Sequence, residues 1–161
     1  MNQMEQTMSE MFETIKTFFF NDEWYFTEMK NRPVLKMNHY GENGRFPCEA
    51  EINEKQQIFY FYSFFPVTIP KEKRIAMAEF ITRANYGLRL GNFEMDFEDG
   101  EVRYRTSVDV ENDMLSISLV SNMVYPNVWT MDRYLPGLFE VVYGNSSPAQ
   151  AILKVEEAYY D

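Results

Sequence analysis

The chain is short of the residues on which most protein chemistry relies. Its 161 residues include one histidine, His39, and one cysteine, Cys48. A single cysteine forms no internal disulfide, which fits a reducing compartment, and one Cys with one His all but removes a zinc site. Basic residues are also scarce: 15 Lys and Arg stand against 25 Asp and Glu, giving a net charge of −10 and a pI near 4.6. Such a surface repels phosphate backbones and anionic lipid, which argues against nucleic-acid and membrane-surface roles. No apolar run reaches transmembrane length. The N-terminal stretch places no basic segment ahead of an apolar one, so no secretory signal is read and the expected location is cytoplasmic. There is no Walker-type phosphate loop, and Gly87-Leu88-Arg89-Leu90-Gly91 lacks the spacing of a dinucleotide fingerprint. No repeat, low-complexity tract or Pro/Gly/Ser linker divides the chain, so residues 1–161 are read as a single domain.

What the chain does have is a core. Hydrophobic residues make up 45% and aromatics 17% of it, far above an acidic disordered tail. The acidity then reads either as a device for solubility or as a preference for a basic or hydrophobic protein partner.

Met4, Met8, Met11, Phe12, Ile15, Phe18 and Phe19 recur at helical spacing, which predicts an amphipathic helix over residues 4–20, broken near Asn21-Asp22. The stripe reads as core, or as a face packed on another subunit. From residue 24 to 65 the period falls to two. Residues 24–29 and 34–40 read as strands about an Asn31-Arg32-Pro33 turn, and Gly41-Glu42-Asn43-Gly44 turns the chain again. Phe46, Cys48, Ala50 and Ile52 then alternate with Pro47, Glu49, Glu51 and Asn53, a half-buried strand that Pro47 assigns to an edge. Residues 58–65 are apolar on both faces, so that strand is central in its sheet or covered by a partner. Under the second reading Phe59, Tyr60, Phe61 and Tyr62 are a candidate partner surface.

Pro70 suits the first turn of a helix whose buried stripe is Met77, Ile81, Ala84 and Leu88, with Gly87 and Gly91 as candidate stops. Leu115, Leu119 and Met123 restore helical spacing, but Pro126 and Pro136 predict two or three pieces before Tyr143, kinked or broken at each proline. Ser147-Pro148-Ala149-Gln150 has the form of a helix N-terminus, followed by Ala151, Ile152, Val155 and Tyr159 on one side. Strands and helices without βαβ alternation predict an α+β fold, an antiparallel sheet packed against helices.

The most specified stretch is a hairpin over residues 93–110. Folding back about a two-residue Asp99-Gly100 turn sets Phe97 against Val102, Asp96 against Arg103, Met95 against Tyr104 and Glu94 against Arg105. One face is then apolar and the other carries opposite-charge pairs; a slip of one residue destroys the pattern. Glu94, Asp96 and Glu98 on one strand face suit a hard cation. The opposing arginines favour ion pairs instead, each contributing ~0.2–1 kcal/mol. The same acids argue against an RNA-binding ribbon at Arg103-Tyr104-Arg105. A nucleophilic site would have to join His39 to Ser63, Cys48 or another distant residue, and no local motif does so. No catalytic, cofactor-binding or metal-ligating residue is assigned.

The Pro-led helix reaching Asn85, then Gly91-Asn92-Phe93-Glu94-Met95-Asp96, Asp99-Gly100-Glu101-Val102-Arg103-Tyr104-Arg105, Met131-Asp132-Arg133-Tyr134-Leu135-Pro136-Gly137 and Ser147-Pro148 together resemble the YbjN-like domain family, described as "putative bacterial sensory transduction regulator". The resemblance runs from about residue 24 onward. It implies a fold like that of the chaperones of type III secretion, often dimeric, binding extended partner segments without chemistry. It makes Asn85, Gly91, Asp96, Asp99, Gly100, Arg103, Tyr104 and Arg105 signatures of fold rather than of catalysis. The expected function is a non-enzymatic bacterial regulatory or chaperone-like module acting through a protein partner, with a homodimer as one form, without cofactor, nucleic acid or membrane. The alternative is a small-molecule or metal-binding protein, or an enzyme, using carboxylates in an aromatic-lined pocket; a third reading is a subunit of a larger assembly.

Overall fold

The period-two region folds as a four-strand meander: β1 (Phe26–Glu28), β2 (Val34–Tyr40), β3 (Arg45–Asn53) and β4 (Ile58–Phe64). This computed structural model describes residues 3–158, with side chains described from Glu10 onward. The Met4 and Met8 side chains and Tyr159, expected in helical stripes, lie outside that part. Before the sheet comes α1 (Gln3–Asn21). After it the chain passes through a short 3-10 turn (Lys71–Lys73) and α2 (Arg74–Asn85), and returns as the hairpin β5 (Asn92–Met95) and β6 (Val102–Asp109). The second arm docks beside the meander, so the sheet order is β1-β2-β3-β4-β6-β5, every neighbouring pair antiparallel. Helices α3 (Ile117–Tyr143) and α4 (Pro148–Glu157) complete an α+β fold.

Register places Leu35, Ala50, Phe61 and Thr106 in one row across the sheet, and Met37, Cys48, Ser63, Tyr104 and Phe93 in the next. All nine are buried, because α3 packs on β4 and β6 over this face, with α1, α2 and α4 around it. Phe59 and Phe61 are fully buried here, which removes them from the candidate partner surface. The β4 strand is apolar on its inner side because it is central. Tyr60 and Tyr62 lie on the opposite face.

Pro47 is in β3, an interior strand and not an edge. Its missing N–H is harmless for a local reason. The hydrogen-bonded pairs of the β2–β3 ladder recur every second pair from Pro33/Ile52 to Gly41/Gly44, and Pro47 opposite Asn38 falls between them. Its nitrogen therefore faces β4, whose pairing with β3 stops one residue short, at Cys48/Ser63.

The expected pieces between residues 113 and 143 are one 27-residue helix with both prolines inside it. Ser116 caps it, accepting from the Leu119 N–H. Pro126 deprives the Asn122 carbonyl of its partner and crowds the preceding turn, yet on either side of it the helix is tied to the sheet. The buried Thr106 hydroxyl donates to the Met123 carbonyl at 2.7 Å. Asn127, fully buried, donates to the Phe61 carbonyl at 2.9 Å and the Tyr104 carbonyl at 3.2 Å, and accepts from Ser63 at 2.6 Å. The buried Ser63, Thr106 and Asn127 side chains are thus satisfied across the helix–sheet interface, which a local reading of proline cannot see. The Ser147–Gln150 capping box forms at the start of α4 as expected.

The hairpin departs from its expected register by two residues. Met95 pairs with Val102, Glu94 with Arg103, Phe93 with Tyr104 and Asn92 with Arg105. The turn is longer than Asp99-Gly100 because two carboxylates stabilise it from inside: Asp96 accepts from the Glu98 N–H at 2.7 Å and Asp99 from the Glu101 N–H at 2.8 Å. A shift of two preserves the division of faces, so Tyr104 and Val102 still point into the core. Asp96 is spent on the turn, and Phe97 leaves the apolar face to sit half-exposed in the loop.

Candidate functional site

Each hairpin residue marked by resemblance has an architectural task. The Asn85 side chain accepts from the Phe93 N–H at 2.7 Å and donates to the Phe93 carbonyl at 3.1 Å, tying the end of α2 to the edge strand. Gly91, at φ +73°, lies where a Cβ would fall 2.4 Å from the Arg105 carbonyl oxygen. Gly100, at φ +84°, is equally close to the Ile69 carbonyl oxygen. Arg74, missed by the sequence reading, bridges that oxygen to the Phe97 carbonyl, clamping the loop to the start of α2. The Tyr104 hydroxyl donates to the Leu90 carbonyl, and burial pushes its pKa up to about 12.

On the outer face of the sheet, side chains cover one another. Tyr60, Tyr62 and Phe64 form a row, the first two rings stacked at 5.9 Å and the third tilted at 6.1 Å from Tyr62. The Arg103 guanidinium lies 4.4 Å over the Tyr62 ring and bonds Glu94 at 2.9 Å, while Arg105 takes the other Glu94 oxygen at 3.0 Å. Lys36 pairs with Glu49 at 2.8 Å and Arg32 with Glu51 at 3.6 Å. Tyr62 is left only 9% exposed although no helix covers it. Ion pairing also commits Glu94, one of the three acids considered for a cation. Among the described residues no group of three or more His, Cys, Asp or Glu could hold a metal.

A different surface opens where the β2–β3 turn meets α3 and α4. Asp132 on α3 accepts from the Glu42 N–H at 3.0 Å and the Asn43 N–H at 2.9 Å. A Cβ on Gly41 would fall 2.1 Å from that carboxylate, so with any other residue there the Asp132 side chain would have to shift. Further along α3, Gly137 lets Phe80 of α2 and Val155 of α4 close in, where a Cβ would stand 2.6 and 2.7 Å from them. Between turn and helices runs a cleft of about 910 Å³. Its rims carry Tyr40, 71% exposed, and Trp129, 65% exposed. Trp129 stacks one face on Tyr125 at 5.5 Å. His39 sits in the wall between Trp24 and Phe46, at 5.5 and 5.3 Å. Burial holds its pKa below the ordinary value, against a smaller opposing pull from Asp132. Glu140 accepts from the Ser146 hydroxyl, which lowers its pKa, and Lys154 lies 3.5 Å away.

The sequence reading had both halves of this cleft, the Gly41–Gly44 turn and the 131–137 segment, without any sign that they meet. It missed Trp129 and Tyr40 as surface residues. Cys48 and Ser63 are brought within 3.4 Å, but burial pushes the thiol up to about 12, so it is no nucleophile. His39 stacks instead on Trp24 and lies tilted against Phe46.

The profile of the YbjN family, "Putative bacterial sensory transduction regulator", matches residues 38–140, which include both the turn and α3 up to Glu140. The crystal structure of YbjN from E. coli, titled a putative transcription regulator, superimposes with a TM-score of 0.57 at 10% identity, covering 81% of this chain and 87% of that one. At that identity the likeness is one of fold. A chain of the HopA1-SchA chaperone–effector complex gives a TM-score of 0.48 at 14% identity, over 78% and 94% of the two chains, too loose to carry a conclusion. No curated protein matches the sequence.

Proposed function

The chain belongs to the YbjN family, and from that premise we propose that it is a non-enzymatic regulatory or chaperone-like module of the bacterial cytoplasm. It acts by holding a protein partner, with a homodimer as one form of that contact. The observation that carries this reading is the cleft. Its aromatic rims are exposed while comparable rings on the outer sheet are covered, and exposed aromatics beside a concavity are the usual anchors of an interface. Its carboxylates Asp132 and Glu140 are occupied by the chain's own donors, which suits a built wall better than general acid–base work. No helix among the described residues is long and apolar enough to cross a membrane.

Affinity capture from the native host, run in parallel with wild type and Trp129→Ala, tests the reading. A specific protein recovered by the first and lost by the second supports it; no specific protein, or equal recovery, contradicts it. Light scattering across concentration tests the homodimer, which a mass fixed at one chain would exclude. The cleft volume also favours a second reading, a small-molecule site. A reproducible thermal shift with a metabolite, abolished by Trp129→Ala, would favour it over the first.

A further inference from the structure

The fixed charges around the cleft say what kind of segment it takes. Three carboxylates (Glu42, Asp132, Glu140) and two cations (Arg133, Lys154) line it. Most are already engaged: Asp132 by the turn amides, Glu140 and Lys154 by each other and Ser146, and the Arg133 guanidinium by the Tyr134 ring at 5.3 Å. Glu42 is exposed and takes part in none of the ion pairs among the described residues. The same is true of Glu157, next to the lining residue Ala158. Just outside the lining, Glu157 is offset by Arg45, which lies against the Tyr40 ring and joins none of those ion pairs; the lining itself keeps one more carboxylate than cation, in a chain whose net charge is −10.

The aromatic rims select the same sign. The ring face of an indole or phenol attracts a cation, most strongly for Trp. Tyr40 already attracts one, since the Arg45 guanidinium lies 5.2 Å from its ring centre. Trp129 has only one face taken, by Tyr125, and is 65% exposed. We propose that the cleft receives a Lys- or Arg-bearing segment of a partner protein, a basic side chain resting on Trp129 with Glu42 as its countercharge. This rests on the reading of the chain as an interaction module and names its partner's chemistry. An acidic segment would meet Glu42, and a neutral one would leave it without compensation.

Selection of short random peptides displayed on phage, with the intact chain as target, tests the proposal. Enriched peptides should carry net positive charge and bind more weakly as salt is added. Their affinity should fall roughly tenfold on Trp129→Ala and roughly threefold on Glu42→Gln. Both changes are at exposed positions, and circular dichroism confirms that each variant is folded. Acidic or neutral peptides that bind equally well and are lost on Trp129→Ala overturn the charge assignment and leave the interaction reading standing. Failure to enrich any peptide that Trp129→Ala loses overturns both.

Discussion

Two of the aromatic surfaces that this protein turns to solvent treat it in opposite ways. On the outer sheet, Tyr62 lies beneath Arg103 and is 9% exposed, and neighbouring charges are matched across strands. At the cleft, Trp129 and Tyr40 stand 65% and 71% exposed, even with the Arg45 guanidinium against the Tyr40 ring, and Glu42 joins no ion pair among the described residues. A surface whose rings and charges satisfy one another gains little from a visitor, because binding must first undo those contacts. A surface with open rings and an unmatched charge gains from being covered. On the proposed reading, that difference favours the cleft over the broad face of the sheet as the working surface.

Substitutions can break or sharpen that contrast. The largest effect lies beneath the sheet: Tyr104→Asp places an unpaired charge in the core and should cost about 3–5 kcal/mol in denaturant titration. Asp132→Ala removes the acceptor of two turn amides and should cost about 1–2 kcal/mol, loosening the β2–β3 turn in hydrogen exchange. Arg103→Glu sets like charges beside Glu94 and uncovers Tyr62, for a loss of about 1 kcal/mol. If it costs as much as Tyr104→Asp, the assignment of inner and outer faces is wrong. Trp129→Ala should change stability by less than about 0.5 kcal/mol while abolishing partner capture. A large loss of stability would mean that the ring serves the fold.

The smallest effect is on pH dependence. The folded protein holds His39 at a pKa below its ordinary value because burial penalises its charge. The unfolded chain thus binds more protons, and stability rises with pH across that window. It should be complete above about 6.5 and decline as pH falls through that value toward the folded pKa. His39→Gln should flatten the slope between about pH 5.5 and 7. An unchanged slope would show that His39 is not the titrating group.

How much was legible in the sequence follows the range of the interactions. The face division of the hairpin was readable because alternation is local. Its register was not, since the Asp96 and Asp99 side-chain bonds that lengthen the turn compete with the shorter alternative over only a few residues. Around Pro126, α3 is tied to the sheet by Thr106 and Asn127, bonds invisible to a reading of proline alone, which predicted a kink or a break. The cleft was least legible, because Glu42 and Asp132 are 90 residues apart in sequence and neither carries a motif for the other. Gly41 and Gly137 were visible as glycines, but their need for close approach appears only once the helices are in place.

Photo-crosslinking in the native host measures the contrast most directly, with benzoylphenylalanine placed at position 129 in one variant and at position 60 in another. Crosslinks to a partner protein at 129 and none at 60 are expected. Crosslinks at 60 with none at 129 would move the working surface to the outer sheet and contradict this account.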